Sequence, residues 1–224
     1  MRAFIICRDR VTYAQRCAAA LVRAGLDVTL VDQGSTWPSA VQWLADQEAH
    51  GWLVLRRGGS THPHGLWEWE PFRQACGSGR YIVTDPDVVP SEDCPEDWVA
   101  YLGELLDEFP QAKAGLGLRL DRIPVHYQRR EAVLAWEQQF WQQRLAEGVF
   151  SAPVDTTLAL YRPLSEVPAF QLESAMRSAP PYVADHLAWY EDLENLTPEL
   201  RWYHEHADPG ITYWTIAGRS VWGN

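Results

Sequence analysis

The sequence predicts an α/β fold: one domain with a mostly parallel central sheet flanked by helices, followed by a Trp-rich C-terminal appendage. Three observations carry this. Short, fully apolar runs alternate with longer amphipathic runs through the first half of the chain. Several apolar runs end abruptly in charged or Gly-containing segments, as strands do at the edge of a buried parallel sheet. The 224 residues, 46% hydrophobic and 22% charged, suit one substantial folded domain and not a disordered chain.

The elements follow in order. Ala3–Cys7 (AFIIC) reads as a buried strand running into Arg8, Asp9 and Arg10. Thr12 is placed to cap a helix that continues through Leu21–Ala24 and stops at Gly25. Val28–Val31 is the second strand and ends at Asp32. Pro38 opens a helix to about Ala49, because a first-turn proline forfeits no hydrogen bond. Gly51–Leu55 is the third strand, so the order implies right-handed parallel crossovers. A helix is expected over about 66–76, and Tyr81–Thr84 is the fourth strand, leading into Asp85-Pro86-Asp87. Pro95 starts a helix to Glu108 with acids in its first turn. Lys113–Leu120 and Val154–Tyr161 are strand candidates. Between them, Glu131–Leu145 is spaced as a helix. From Phe170 onward the periodicity is weak. The boundary drawn is 1–165 for the catalytic domain and 166–224 for an extension packed on it.

The charge balance excludes one class of function. Nineteen Lys+Arg against 30 Asp+Glu leave a net charge of −11. Residues 61–112 alone hold two basic and eleven acidic side chains. Broad binding to nucleic acid or anionic membrane needs a basic face instead. Every basic residue except Lys113 is Arg, a side chain that suits phosphate forks, although compositional bias explains the preference as well. Cys7, Cys17, Cys76 and Cys94 are scattered without metal spacing, which suits a reducing, cytoplasmic setting. No run approaches a transmembrane segment, and the N-terminal apolar run is too short for a signal peptide.

Two motifs bear chemistry. Thr84-Asp85-Pro86-Asp87 sets two carboxylates just past a buried strand, at the edge where open α/β sheets bind ligands. Such a pair can hold a hard divalent cation against a diphosphate; an Asp-Pro-Asp turn is the plainer alternative. Asp32, ending the second strand in V-D-Q-G-S-T, is placed to accept hydrogen bonds from a nucleobase or ribose. Neither G-x-G-x-x-G after the first strand nor G-x-x-x-x-G-K-[ST] occurs, which argues against dinucleotide and P-loop sites.

With F-I-I-C-R-D-R, V-D-Q-G-S-T, Y-I-V-T-D-P-D-V-V-P and V-D-T-T-L-A-L-Y-R in this order, the chain resembles the glycosyltransferase A (GT-A, Rossmann-like) fold in its family-two-like branch, over roughly residues 1–190. The resemblance implies nucleotide binding by Asp32. It also implies that Asp85 and Asp87 hold the ribose and a Mn²⁺ or Mg²⁺, with Asp87 the direct ligand and His186 a further one. Arg8 and Arg10 end the first strand where the fold holds its nucleotide, so either could meet a phosphate, a surface salt bridge with Asp9 or Asp27 being the equal alternative. Asp155 is the expected general base for an acceptor hydroxyl, with Glu137 as substitute and strand capping as Asp155's structural alternative. Trp67 and Trp69 lie where a sugar would pass, though core packing is weighed first.

The expected activity is a metal-dependent glycosyltransferase of hexosyltransferase type. It would use a nucleotide-diphosphate sugar, a UDP-sugar first among donors, and invert at the anomeric carbon. The acceptor stays open among glycan, lipid, small molecule and modified DNA base, the last served by Arg119–Arg130. A nucleotidyltransferase and a non-catalytic nucleotide-sugar-binding module are the alternatives.

Overall fold

The computed structural model describes residues 1–58, 63–154, 157–167 and 173–207, the side chains of 63 and 64 excepted. Its frame is a nine-stranded sheet ordered β3-β2-β1-β4-β10-β6-β11-β9-β8. The strands are β1 (Arg2–Cys7), β2 (Asp27–Asp32), β3 (Leu53–Arg56), β4 (Tyr81–Thr84), β6 (Lys113–Gly115), β8 (Arg144–Ala146), β9 (Val149–Ser151), β10 (Ala159–Tyr161) and β11 (Ala175–Ser178). Only β9 and β10 run against the rest, so the sheet is mostly parallel, as expected. A small sheet, β5-β12-β7, is built from β5 (Val88–Pro90), β12 (Val183–His186) and β7 (Gly117–Leu118).

The apolar runs read as strands because both faces of the main sheet are covered. Along β1, Ala3, Ile5 and Cys7 join one core while Phe4 and Ile6 join the other. Helices α1 (Val11–Arg23), α2 (Pro38–Ala49) and α4 (Trp98–Glu108) feed the first core through Ala14, Leu21, Leu44 and Leu102. The second is closed by Leu66, Trp67 and Phe72, the last from α3 (Glu70–Cys76). Each fully buried Leu or Phe of this kind is worth about 1.5–3 kcal/mol.

Where the structure departs from the sequence expectation, local chemistry explains it. Helix α1 begins at Val11 without a side-chain cap, and Thr12 lies inside it bonded elsewhere. The helix expected over 66–76 is a 3₁₀ segment, Pro63–Glu68, and then α3, which Pro71 restarts. The expected strand 113–120 is split between the two sheets. Gly115 ends β6 and Gly117 starts β7, and a Cβ on Gly117 would fall 2.2 Å from the Ser178 carbonyl oxygen. Helix α5 (Arg130–Glu137) tightens into a 3₁₀ turn, Gln138–Trp141, well short of Leu145. Among the described residues of 154–161, Ala159–Tyr161 form strand β10.

The segment after 166 supplies β11 to the interior of the main sheet and β12 to the small one, followed by α6 (Pro198–His206). Among the described residues, no helix is long and apolar enough to cross a membrane.

Candidate functional site

Three C-terminal strand ends meet at one edge, because β2, β1 and β4 are adjacent and parallel. Past β1 lie Arg8, Asp9 and Arg10; past β2, the turn 32–36; past β4, the T-D-P-D turn. That turn is the crossover between the sheets, since β4 belongs to the large sheet and β5 to the small one. The antiparallel pairing of β5 with β12 sets His186 opposite Val88, so His186 Nε2 stands 3.7 Å from Asp87 Oδ2. The D-x-D turn and the late histidine, about a hundred residues apart in sequence, are thus neighbours in space.

Asp32 is buried at the end of β2. Its Oδ1 accepts a 2.9 Å hydrogen bond from the Ser35 amide, while Oδ2 faces Arg56 Nη1 at 3.7 Å. One carboxylate oxygen therefore shapes the turn, and the other retains acceptor capacity. Asp9 was not singled out from the sequence, yet it organises this loop. It holds a left-handed backbone (φ 58°), and its Oδ1 accepts from the Thr36 and Trp37 amides at 2.6 Å each. Helix α2 has no cap of its own at Trp37, so the β1 end supplies the carboxylate that its N-terminus needs. The available signal was an acid directly after a buried strand, with an uncapped Pro-initiated helix following the next one.

Arg10 is the hub. Its Nη1 meets Asp87 Oδ2 at 2.9 Å and its Nη2 meets Glu191 Oε1 at 3.4 Å. The guanidinium lies 4.6 Å from the ring centroids of both Tyr13 and Tyr203, so it is clamped between two aromatic rings. Glu191 further accepts from the Tyr13 hydroxyl at 2.8 Å and lies 3.2 Å from His204 Nε2. Burial alone would favour the neutral guanidine, but Asp87, Tyr203 and Glu191 outweigh it and Arg10 stays charged. Burial likewise pushes the Asp87 carboxyl up, yet Arg10 and then His186 hold it below the usual carboxylate value. Burial lowers His186, whose ring stacks on Trp189 at 4.6 Å.

Helix α6 closes this edge. The Thr12 amide and hydroxyl donate to Glu199, Trp37 packs on Trp202 at 5.2 Å, and Arg8 Nη2 donates to the His206 carbonyl at 3.4 Å. Arg8 also stands 3.9 Å from Asp9 Oδ2.

The fit to Mn²⁺ or Mg²⁺ can be judged from these contacts. Asp87 and His186 are close, as a pair of ligands would be, but the Asp87 oxygen facing His186 is the one that Arg10 holds. A fixed positive charge at that oxygen opposes a dication. Among the described residues, no group of three or more His, Cys, Asp or Glu side chains could hold a metal ion. The donor set does not fit the expected metal. Asp85, partly exposed, accepts at its carbonyl from the Thr84 hydroxyl at 3.0 Å. Burial raises the thiol of Cys94 to about 11 and that of Cys76 to about 12, and those of Cys7 and Cys17 further.

Other expected residues sit apart from the hub. Asp155 lies outside the described residues. Glu137, the substitute base, is 3% exposed and bound 2.8 Å from Arg177 Nη1; that guanidinium lies 4.0 Å from the Phe140 ring. Its environment is that of a structural ion pair. Trp67 takes the core place weighed first for it and not that of a sugar platform: it donates 2.9 Å to the Tyr81 hydroxyl and packs on Tyr161 and Phe72. Trp69 is partly buried against the same core. In the stretch considered as a DNA groove, Arg119 is bidentate to Asp93 and Arg122 lies on the same carboxylate.

The sequence matches no family model and no curated protein. The structure resembles glycosyltransferases and nucleotidyltransferases of GT-A-like fold. Residues 1–349 of TarS from S. aureus match with a TM-score of 0.50 at 10% identity, covering 84% of this chain and 61% of that one. A mannosyltransferase from Pyrobaculum calidifontis, solved with GDP-Man and Mn²⁺, matches with a TM-score of 0.49 at 14% identity, over 92% of this chain and 60% of that one. A UTP-bound UGPase from Acinetobacter baumannii gives 0.47 at 12% identity, over 93% and 95%. The chain spans about three fifths of the first two. At such identities the likeness is one of fold.

Proposed function

We propose that the chain is a glycosyltransferase that moves a sugar from a nucleotide-diphosphate sugar to a hydroxyl acceptor. The observation that carries this reading is the convergence of Asp32, the Arg8–Arg10 turn and the T-D-P-D turn on the C-terminal ends of three adjacent parallel strands. Ligands of open α/β sheets bind at such an edge.

In this reading Asp32 accepts a hydrogen bond from the base or ribose through the oxygen that does not cap its own turn. Asp9 keeps the loop from Ser35 to Trp37 rigid around that nucleotide, so little entropy is lost on binding. Asp85, at the outer end of the T-D-P-D turn, reaches the ribose. As the glycosidic bond to the donor phosphate breaks, negative charge grows on the departing diphosphate, and arginine charge fixed at the edge stabilises it. Asp155 takes the acceptor proton, and attack from the face opposite the leaving group inverts the anomeric carbon. Glu137, held by Arg177, is withdrawn from that role.

A screen of UDP-, GDP-, CMP- and dTDP-sugars for nucleotide release, with Mn²⁺, with Mg²⁺ and with chelator, tests the reading. One donor is expected to release its nucleotide faster than the buffer rate. No release from any donor, beside pyrophosphate production from a nucleoside triphosphate and a sugar 1-phosphate, would replace it with a nucleotidyltransferase.

A further inference from the structure

Most of the groups left unsatisfied at this edge are of one chemical kind; the Nδ1 atoms of His186 and His204, which can take either role, are unsatisfied beside them. Among the described residues, the Nε atoms of Arg8 and Arg10 and the Nε1 atoms of Trp189 and Trp202 are buried and make no hydrogen bond. All four are N–H groups that only donate. They belong to one connected network. Arg10 binds Asp87, which stands against His186, which stacks on Trp189. Arg8 reaches the His206 carbonyl of α6, and Trp202 of the same helix stacks on the His206 ring at 3.9 Å. Arg10 itself is 8% exposed. A buried donor without an acceptor is costly, so such a cluster calls for a ligand rich in lone pairs.

A divalent cation is the opposite kind of ligand. It needs lone pairs from the protein, and here Asp87 Oδ2 and Glu191 Oε1 both face the Arg10 guanidinium. Removing Arg10 in thought would leave two buried carboxylates, a set that a dication would balance. With Arg10 present, half of that charge is already cancelled by a cation that the chain carries itself.

We propose that this edge is a metal-independent diphosphate cradle, in which the Arg10 guanidinium stands in the cation's place and the N–H groups of Arg8, Trp189 and Trp202 donate to phosphate oxygens. The proposal rests on the glycosyltransferase reading for its substrate, the diphosphate of a nucleotide sugar, but its own claim concerns the diphosphate alone. Tyr203 and Trp202 place α6 across the edge, so the cradle fills when α6 lifts and is covered again over the bound group.

Inorganic pyrophosphate is therefore the probe, titrated calorimetrically into the full chain with chelator and, separately, with Mn²⁺; Mn²⁺ alone is followed by its electron paramagnetic resonance signal. Pyrophosphate is expected to bind equally well with chelator, and Mn²⁺ alone to stay free. Arg10→Met is expected to abolish pyrophosphate binding. Because that variant strands two buried carboxylates, Trp189→Phe and Trp202→Phe, which delete one donor each and keep an aromatic ring, are measured beside it. Each is expected to weaken pyrophosphate by roughly tenfold. Pyrophosphate binding that requires Mn²⁺, no pyrophosphate binding at all, or unchanged affinity in both Trp variants would overturn the cradle, whatever donor is turned over. Binding in chelator without turnover of any nucleotide sugar would uphold the cradle and count against the glycosyltransferase reading.

Discussion

At the scale of single residues, the sequence locates strand-end side chains but not what they touch. Asp32 and Asp87 stand where a strand-end reading puts them, because a buried parallel strand announces its C-terminal end by the first charged residue after it. What the sequence does not disclose is partnership. Nothing in R-D-R shows that the second arginine folds back onto Asp87 and Glu191, 77 and 181 residues away, or that Asp9 anchors the following loop. Glu137 illustrates the same limit, because an acid on a helix reads alike whether it faces solvent or a buried arginine. Its pairing with Arg177 has a testable consequence. Burial pushes the Glu137 carboxyl above its ordinary value near 4.5, although Arg177 pulls it back. The folded state thus holds the proton more tightly than the unfolded chain. The resulting stabilisation is complete below that ordinary value and is lost as pH rises through the folded one. Glu137→Gln, a neutral stand-in for the protonated carboxyl, is expected to match the wild type most closely near pH 4.5 and to gain stability relative to it as pH rises towards neutrality. Urea denaturation of both proteins across that range measures it, with turnover per folded molecule unchanged; a loss of that turnover would return Glu137 to the chemistry.

At the scale of elements, legibility follows periodicity. Helix α2 and strand β4 match their expected bounds because Pro38 fixes one start and a fully apolar tetrapeptide fixes the other. The strands β5, β8, β9, β11 and β12 were missed: each has four residues or fewer, too short for alternation to show. Helix α6 was missed with them: it is short and has no fully buried residue, and Leu200, Trp202 and Tyr203 hold it against what it covers. The split of 113–120 into two strands is a tertiary effect imposed by close backbone approach at Gly117. A methyl group there would meet the Ser178 carbonyl at 2.2 Å and the Trp141 ring at 2.7 Å. Gly117→Ala is expected to lose about 3 kcal/mol, since the carbonyl can yield only by moving the β11 end. Gly79→Ala, where nothing lies within 4 Å, is expected to stay within about 0.5 kcal/mol. Equal thermal shifts in the two variants would show that the sheets are not pinned at this point.

At the scale of the whole molecule, the arginine charge available to an anionic ligand is held in place by carboxylates. The net charge is −11, and the sheet edge past β1 sets Arg8 and Arg10 among Asp9, Asp87 and Glu191, while exposed acids such as Asp107 and Asp93 pair with Arg80 and Arg119 elsewhere. The large sheet brings together strand ends scattered between residues 7 and 84, and the small sheet adds His186 and the chain leading to Glu191 and α6. Two sheets joined by the T-D-P-D turn are therefore what make one site out of the two halves of the sequence. Hydrogen–deuterium exchange on the full chain, with and without the nucleoside diphosphate of the preferred donor, tests this most directly. The account predicts slowed exchange in residues 7–10, 32–37 and 84–88 and across α6, with little change in α3 and α5. Protection confined to other segments, or none with any nucleoside diphosphate, would contradict it.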